Sequence, residues 1–156
     1  MHGPLPVDRA VKLLHEATAS VTGAEFFRAL ARSVATVLGV PMGLVGRLEA
    51  DGCHVHTLAF WDGESFQTMR YGLDGTPCAN VLTQREACQH PAGVARTFPE
   101  DRMLAEAGIE SYFAVPIRSA VDGRSLGLVA ALGREPTEPV AELASILGLF
   151  AARAGA

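Results

Sequence analysis

The chain has 156 residues, 49% of them apolar and 19% charged, with a formal net charge of −4. That length and composition suit a single soluble globular domain, able to bury roughly 70% of the surface of its unfolded chain. The thirteen basic residues, of which only Lys12 is a lysine, are scattered without a basic stripe, which argues against a nucleic-acid partner.

The opening MHGPLPVDRA lacks a basic segment followed by an apolar one, so no secretion signal is read there. The longest greasy run, Leu143 to Ala152, is too short to span a bilayer and is broken by Ser145. The expectation is a cytoplasmic protein without a membrane partner, its Cys53, Cys78 and Cys88 free thiols in a reducing compartment.

From Val7 to about Ala19, Val7, Ala10, Val11, Leu14 and Ala17 recur at helical spacing. Thr22-Gly-Ala-Glu25 has the spacing of a capping box and predicts the start of a second helix. Its stripe is Phe26, Phe27, Leu30, Ala31, Val34, Ala35 and Leu38, with Arg28, Arg32 and Ser33 pointing away, and Gly39 ends it. Asp-Gly pairs at Asp51, Asp62, Asp74 and Asp122 then punctuate the chain, a turn signal because hairpin turns need positive φ. They divide strands of about Met42–Leu48, His54–Trp61 and Phe66–Tyr71, and later Tyr112–Arg118 and Leu126–Leu132, in an antiparallel meander. The last of these is apolar at alternate positions on both faces and is expected at the sheet centre, covered on both sides.

Between the third and fourth strands stands an insertion. Thr76 followed by Pro77 reads as an N-cap and first helical residue, with about two turns of helix after it. A second short helix spans about Glu100 to Ala107, with acidic residues in its first turn and Gly108 closing it. Short helices inserted between two strands of one sheet make a lid, and a lid implies a pocket. A final helix is expected from Val140 to about Ala154.

The run Tyr71-Gly-Leu-Asp-Gly-Thr-Pro-Cys78, then Cys88 with Pro91-Ala-Gly-Val94, Phe98-Pro-Glu-Asp101, Gly108-Ile-Glu-Ser-Tyr112 and Val115-Pro116, resembles the GAF domain family of bacterial signalling proteins. Element order elsewhere agrees, so the resemblance covers nearly the whole chain. It implies an α/β (α+β) fold: a central antiparallel sheet of five to six strands, terminal helices on one face and the short-helix lid on the other. It also implies one sensory domain over residues 1–156, residues 1–20 an N-terminal helix and 22–154 the core and C-terminal signalling helix. The implied role is regulatory, binding an unknown small molecule under the lid or dimerising to control an effector, such as a histidine kinase or cyclase, in a longer parent protein. Phe150 to Ala156 resembles the family's run-out into a following signalling helix.

The pocket candidates are Trp61, Phe66, Tyr71, Cys78, Val81, Cys88, Arg96, Phe98, Tyr112 and Val115. Cys78, in the first turn of a Thr-capped helix, feels a dipole that favours a thiolate and a burial that opposes it. The alternative to a binding module is a small thiol redox enzyme of the free methionine sulfoxide reductase type. Glu100 to Ala107, however, lacks the cysteine that branch of the family uses. No catalytic residue and no metal site is assigned, and the sequence names no cofactor. His54 and His56 share a strand face but make only half a metal site, with His90 a third ligand only by coincidence of fold. Cys53-His54 resembles a bilin-anchoring dipeptide but stands in the wrong element, and the Asn-Lys signature of cyclic-nucleotide-binding members is absent. Leu13, Val140, Leu143, Ile146, Leu147, Leu149 and Phe150 carry more apolar surface than one sheet contact uses, which predicts a homodimer through the terminal helices.

Overall fold

A computed structural model describes residues 5–84, 86–140 and 142–155. The expected contributions of residues 1–4, of the Val7 side chain, and of Ala141 and Ala156 lie outside the described residues.

Two helices come first, α1 (Val7–Thr18) and α2 (Gly23–Leu38). Thr22 has the extended backbone of an N-cap, yet its side chain makes no capping hydrogen bond. Gly23 opens the helix at φ +61°, and Glu25 pairs with Arg28 instead of reaching back, so the capping box is not formed. Ser33 is also buried rather than outward, its hydroxyl donating to the Ala29 carbonyl at 2.6 Å.

The sheet contains β1 (Met42–Leu48), β2 (His54–Trp61), β3 (Phe66–Gln67), β4 (Arg70–Gly72), β5 (Cys88–His90), β6 (Ser111–Arg118) and β7 (Ser125–Gly133). The described pairings are all antiparallel, in the order β3-β2-β1-β7-β6-β5, with β4 also on β2. The sheet is therefore not a simple meander, because the β6–β7 hairpin docks through β7 against β1. This places the doubly apolar β7 at the centre, as its composition demands. The expected third strand is broken in two, because Thr57 captures Met69. The Thr57 hydroxyl accepts the Met69 N–H at 2.8 Å, and its backbone N–H donates to the Met69 carbonyl at 2.9 Å.

One face of the sheet is covered by α1, α2 and α6 (Leu143–Gly155). The other is covered by the lid, consisting of α3 (Pro77–Gln84), β5, α4 (Val94–Thr97) and α5 (Arg102–Glu106). Neither β5 nor α4 was expected from the sequence. α2 lies so close to β1 that a Cβ on Gly43 would sit 2.0 Å from the Ala31 carbonyl oxygen.

α6 starts at Leu143, later than expected, and its apolar surplus has an intramolecular use. The helix packs on β6 and β7 and also touches α1 and α2, so most of its stripe is covered within the chain. Leu143, Ile146, Leu147 and Phe150 are buried in the chain's own core, and Val140, preceding the helix, is buried with them. Of the seven residues expected at a dimer interface, only Leu13 and Leu149 keep exposed surface.

Candidate functional site

The lid is held to the sheet by apolar keystones. Val81 and Leu82 of α3, Val94 of α4, Leu104 of α5 and Ile109 pack on the side chains that β1, β6 and β7 direct toward the lid. Thr76 caps α3 through its hydroxyl, which accepts the Ala79 N–H at 3.3 Å while donating to the Leu73 carbonyl at 2.7 Å. The packing is incomplete between α3, α5 and β4, where a cavity of about 270 Å³ remains.

The cavity has an apolar floor, including Leu44 and Leu132 of the sheet, and Met69, Met103 and Leu104 at its sides. Its polar interior is a cluster of three side chains. The Cys78 sulfur lies 3.0 Å from the Tyr112 hydroxyl and 3.4 Å from the Tyr71 hydroxyl. Burial pushes the Cys78 thiol up, against the opposing pull of the two tyrosine hydroxyls. Burial also drives both phenols well above their ordinary value, with the neighbouring thiol adding to the rise. At neutral pH the cluster is therefore uncharged, and Cys78 is a poor nucleophile.

The mouth is charged. Asp74, Glu100, Asp101, Arg70 and Arg102 all contribute to the wall. Arg70 is held by Glu49, its Nε donating at 2.8 and 3.0 Å to the two carboxylate oxygens. The Glu100 side chain lies across the turn at Gly75, where an added Cβ would meet its carboxylate at 2.7 Å. Asp101 is half-buried, and burial raises its carboxyl, partly offset by the N–H groups of Leu104 and Met103.

The GAF domain family matches residues 23–156 of the sequence. The chain belongs to this family. The likeness extends to solved GAF structures. The GAF domain of an Acinetobacter phosphoenolpyruvate-protein phosphotransferase superposes with a TM-score of 0.72 at 14% identity, covering 95% of this chain and 89% of that one. A methyl-accepting chemotaxis protein, residues 122 to 287, gives 0.69 at 17% identity, with 92% of each chain covered. The chromophore-binding domain of Stigmatella aurantiaca phytochrome P1 gives 0.69 at 14% identity over 96% of this chain, which spans only 57% of that domain's length. These likenesses establish the fold. No curated protein sequence matches the chain.

Within this GAF fold the ten pocket candidates separate into four groups. Tyr71, Cys78 and Tyr112 line the cavity. Val81 and Phe98 belong to the lid core without reaching the cavity wall, and Cys88 rests against that core from the edge strand β5. Arg96 points outward beside Glu110, at 3.5 Å, with its side chain 76% exposed. Trp61, Phe66 and Val115 lie on the wrong side. Val115 is an odd number of residues from Tyr112 on one strand and so faces the helices.

Trp61 is redirected by a bulge in β2. Gly46 pairs with Thr57 and Val45 with Ala59, leaving Leu58 unpaired and exchanging the two faces beyond it. The Trp61 ring consequently stacks under the Arg32 guanidinium at 4.7 Å and against Phe66, which is 38% exposed. The missed cavity residues include Leu44, Leu132, Met69, Asp101 and Met103, which needed the lid's closure to be known.

The remaining candidates lie elsewhere. Cys53 is exposed in the β1–β2 turn and outside the cavity wall. His54 Nδ1 is 2.7 Å from Asp51 Oδ2, and Glu49 completes an acidic cluster with them that excludes His90. An open groove of about 740 Å³ runs past Phe27, Leu58 and Leu126 on the helix side, and Arg47 and Arg124 on its walls are solvent-exposed. Among the described residues, no helix is long and apolar enough to cross a membrane.

Proposed function

We propose that this GAF domain is a non-catalytic sensory module that holds a small molecule between lid and sheet and passes its occupancy to an effector domain. The carrying observation is the 270 Å³ cavity with an apolar floor and the enclosed Tyr71–Cys78–Tyr112 cluster. An apolar cavity of about 150 Å³ accommodates benzene, so this one suits a body of fewer than two such rings and not an open-chain tetrapyrrole. The neutral, enclosed thiol argues against the thiol-reductase alternative, whose chemistry needs an accessible thiolate. A cytoplasmic location fits this role, as does a histidine kinase or cyclase as the effector.

Native mass spectrometry of the purified protein, joined to a thermal-shift panel of one-ring compounds, tests the binding. Added mass or stabilisation is expected in the wild type and is lost in Met103→Trp, which fills the cavity. No added mass and no shift in either protein overturns the reading.

A homodimer remains part of this proposal, with its contact placed on the outer surface of the helical layer. Leu149, Leu13 and Val11, the last 45% exposed, keep apolar area there. Sedimentation at micromolar concentration should give a dimer that Leu149→Glu dissociates, and a monomer in both cases removes it.

A further inference from the structure

Asp101 introduces an electrostatic imbalance into the lid cavity. Its half-buried carboxylate stands near enough to Tyr71 and Cys78 to raise the titration of both. It makes no ion pair among the described residues and is answered only by the N–H groups of Leu104 and Met103 at the start of α5. Asp74 and Glu100 add two more carboxylates to the wall. Against these three stand Arg70, whose guanidinium is already committed to Glu49, and Arg102, which is exposed as Asp74 and Glu100 are. The mouth therefore carries excess negative charge over an apolar floor.

We propose that the lid cavity binds a small organic cation, an ammonium carried on an apolar body of about one ring, with Asp101 facing the charge. This rests on the cavity being a ligand site, as read above. Three features select this chemistry. A half-buried carboxylate without a counter-ion is costly, and a ligand cation removes that cost. Tyr71 and Tyr112 line the cavity with aromatic rings, which attract a cation, and a phenol that donates to the Cys78 sulfur keeps oxygen lone pairs for an N–H donor. A ligand carboxylate or phosphate, in contrast, would meet Asp74, Glu100 and Asp101 at the entrance and be repelled. The floor of Leu44, Leu132 and Leu104 leaves the rest of the ligand no polar partner, which calls for a hydrocarbon or aromatic body.

Titration calorimetry at pH 7.5 with 2-phenylethylamine, 2-phenylethanol and 3-phenylpropanoate tests the charge directly, because the three differ mainly in the end group. The amine is expected to bind at least about tenfold tighter than the alcohol, and the carboxylate weakest. Asp101→Asn should lower the amine to the alcohol's affinity and leave the alcohol unchanged, with an unaltered circular dichroism spectrum excluding misfolding. Equal binding of amine and alcohol, or an amine preference that survives Asp101→Asn, overturns the cation assignment while leaving the cavity a ligand site. Failure of all three to bind the wild type overturns both readings.

Discussion

Asp101 and the three cysteines make the residue-scale account testable without knowledge of any ligand. Burial raises the Asp101 carboxyl above its ordinary value, so the folded chain binds this proton more tightly than the unfolded chain does. The associated stability is greatest at acid pH and is lost as pH rises through the raised value. The groups around it are Tyr71, Cys78, Asp74, Glu100 and Arg102, and Asp101→Asn leaves each of these side chains in place. That variant should therefore melt higher than the wild type at pH 7, with the gap shrinking toward pH 4, as differential scanning calorimetry can follow. The thiols should separate by enclosure. Alkylation followed by peptide mass mapping at pH 7.5 should label exposed Cys53 first and half-buried Cys88 more slowly. Cys78 should react only as fast as the chain opens, and its labelling at the rate of Cys53 would contradict its place in the cavity wall.

At the scale of elements, close approach of backbones governs what can change. The Ala31 carbonyl fills the space where a side chain on Gly43 would stand, and the obstacle is main chain, which cannot rotate aside. Gly43→Ala should cost about 3 kcal/mol or more, at the upper end of overpacking effects, measured by urea unfolding. The Thr57–Met69 contact is a second element-scale test. Thr57→Val removes the hydroxyl that accepts the Met69 N–H and leaves that donor unmatched beside a buried position, at a cost of about 1–3 kcal/mol.

The same scale explains what the sequence made legible. Strands bounded by Asp-Gly pairs were readable, because Gly52, Gly63, Gly75 and Gly123 all take the positive φ that such turns require. The central place of β7 was readable from its two apolar faces. The strand β5 was not, since Cys88–His90 is too short to show a period and is secured by contacts distant in sequence. Gln89, for example, accepts the Val140 N–H at 2.8 Å. Trp61 was misassigned because a single unpaired residue, Leu58, exchanges the faces of β2 and leaves no mark in composition.

For the whole molecule, the sheet separates two cores with different completeness. The helix-side core is closed by α6, whose Leu147 and Phe150 are fully buried, so most of the apolar stripe that read as an interface is used within the chain. The lid-side core is closed by short elements and retains the cavity. A two-sided domain of this kind can register occupancy on one side while the other stays rigid. β6 and β7 pack against both layers, α3 on the lid side and α6 on the helix side, and are the path by which the proposed sensing would reach α6.

Hydrogen-exchange mass spectrometry with and without saturating 2-phenylethylamine measures this division directly. The account predicts slowed exchange over residues 70–107, strongest in α3 and α5, with little change in α1 and α2. Protection confined to the groove at Phe27 and Leu126, or no protection anywhere, would contradict it.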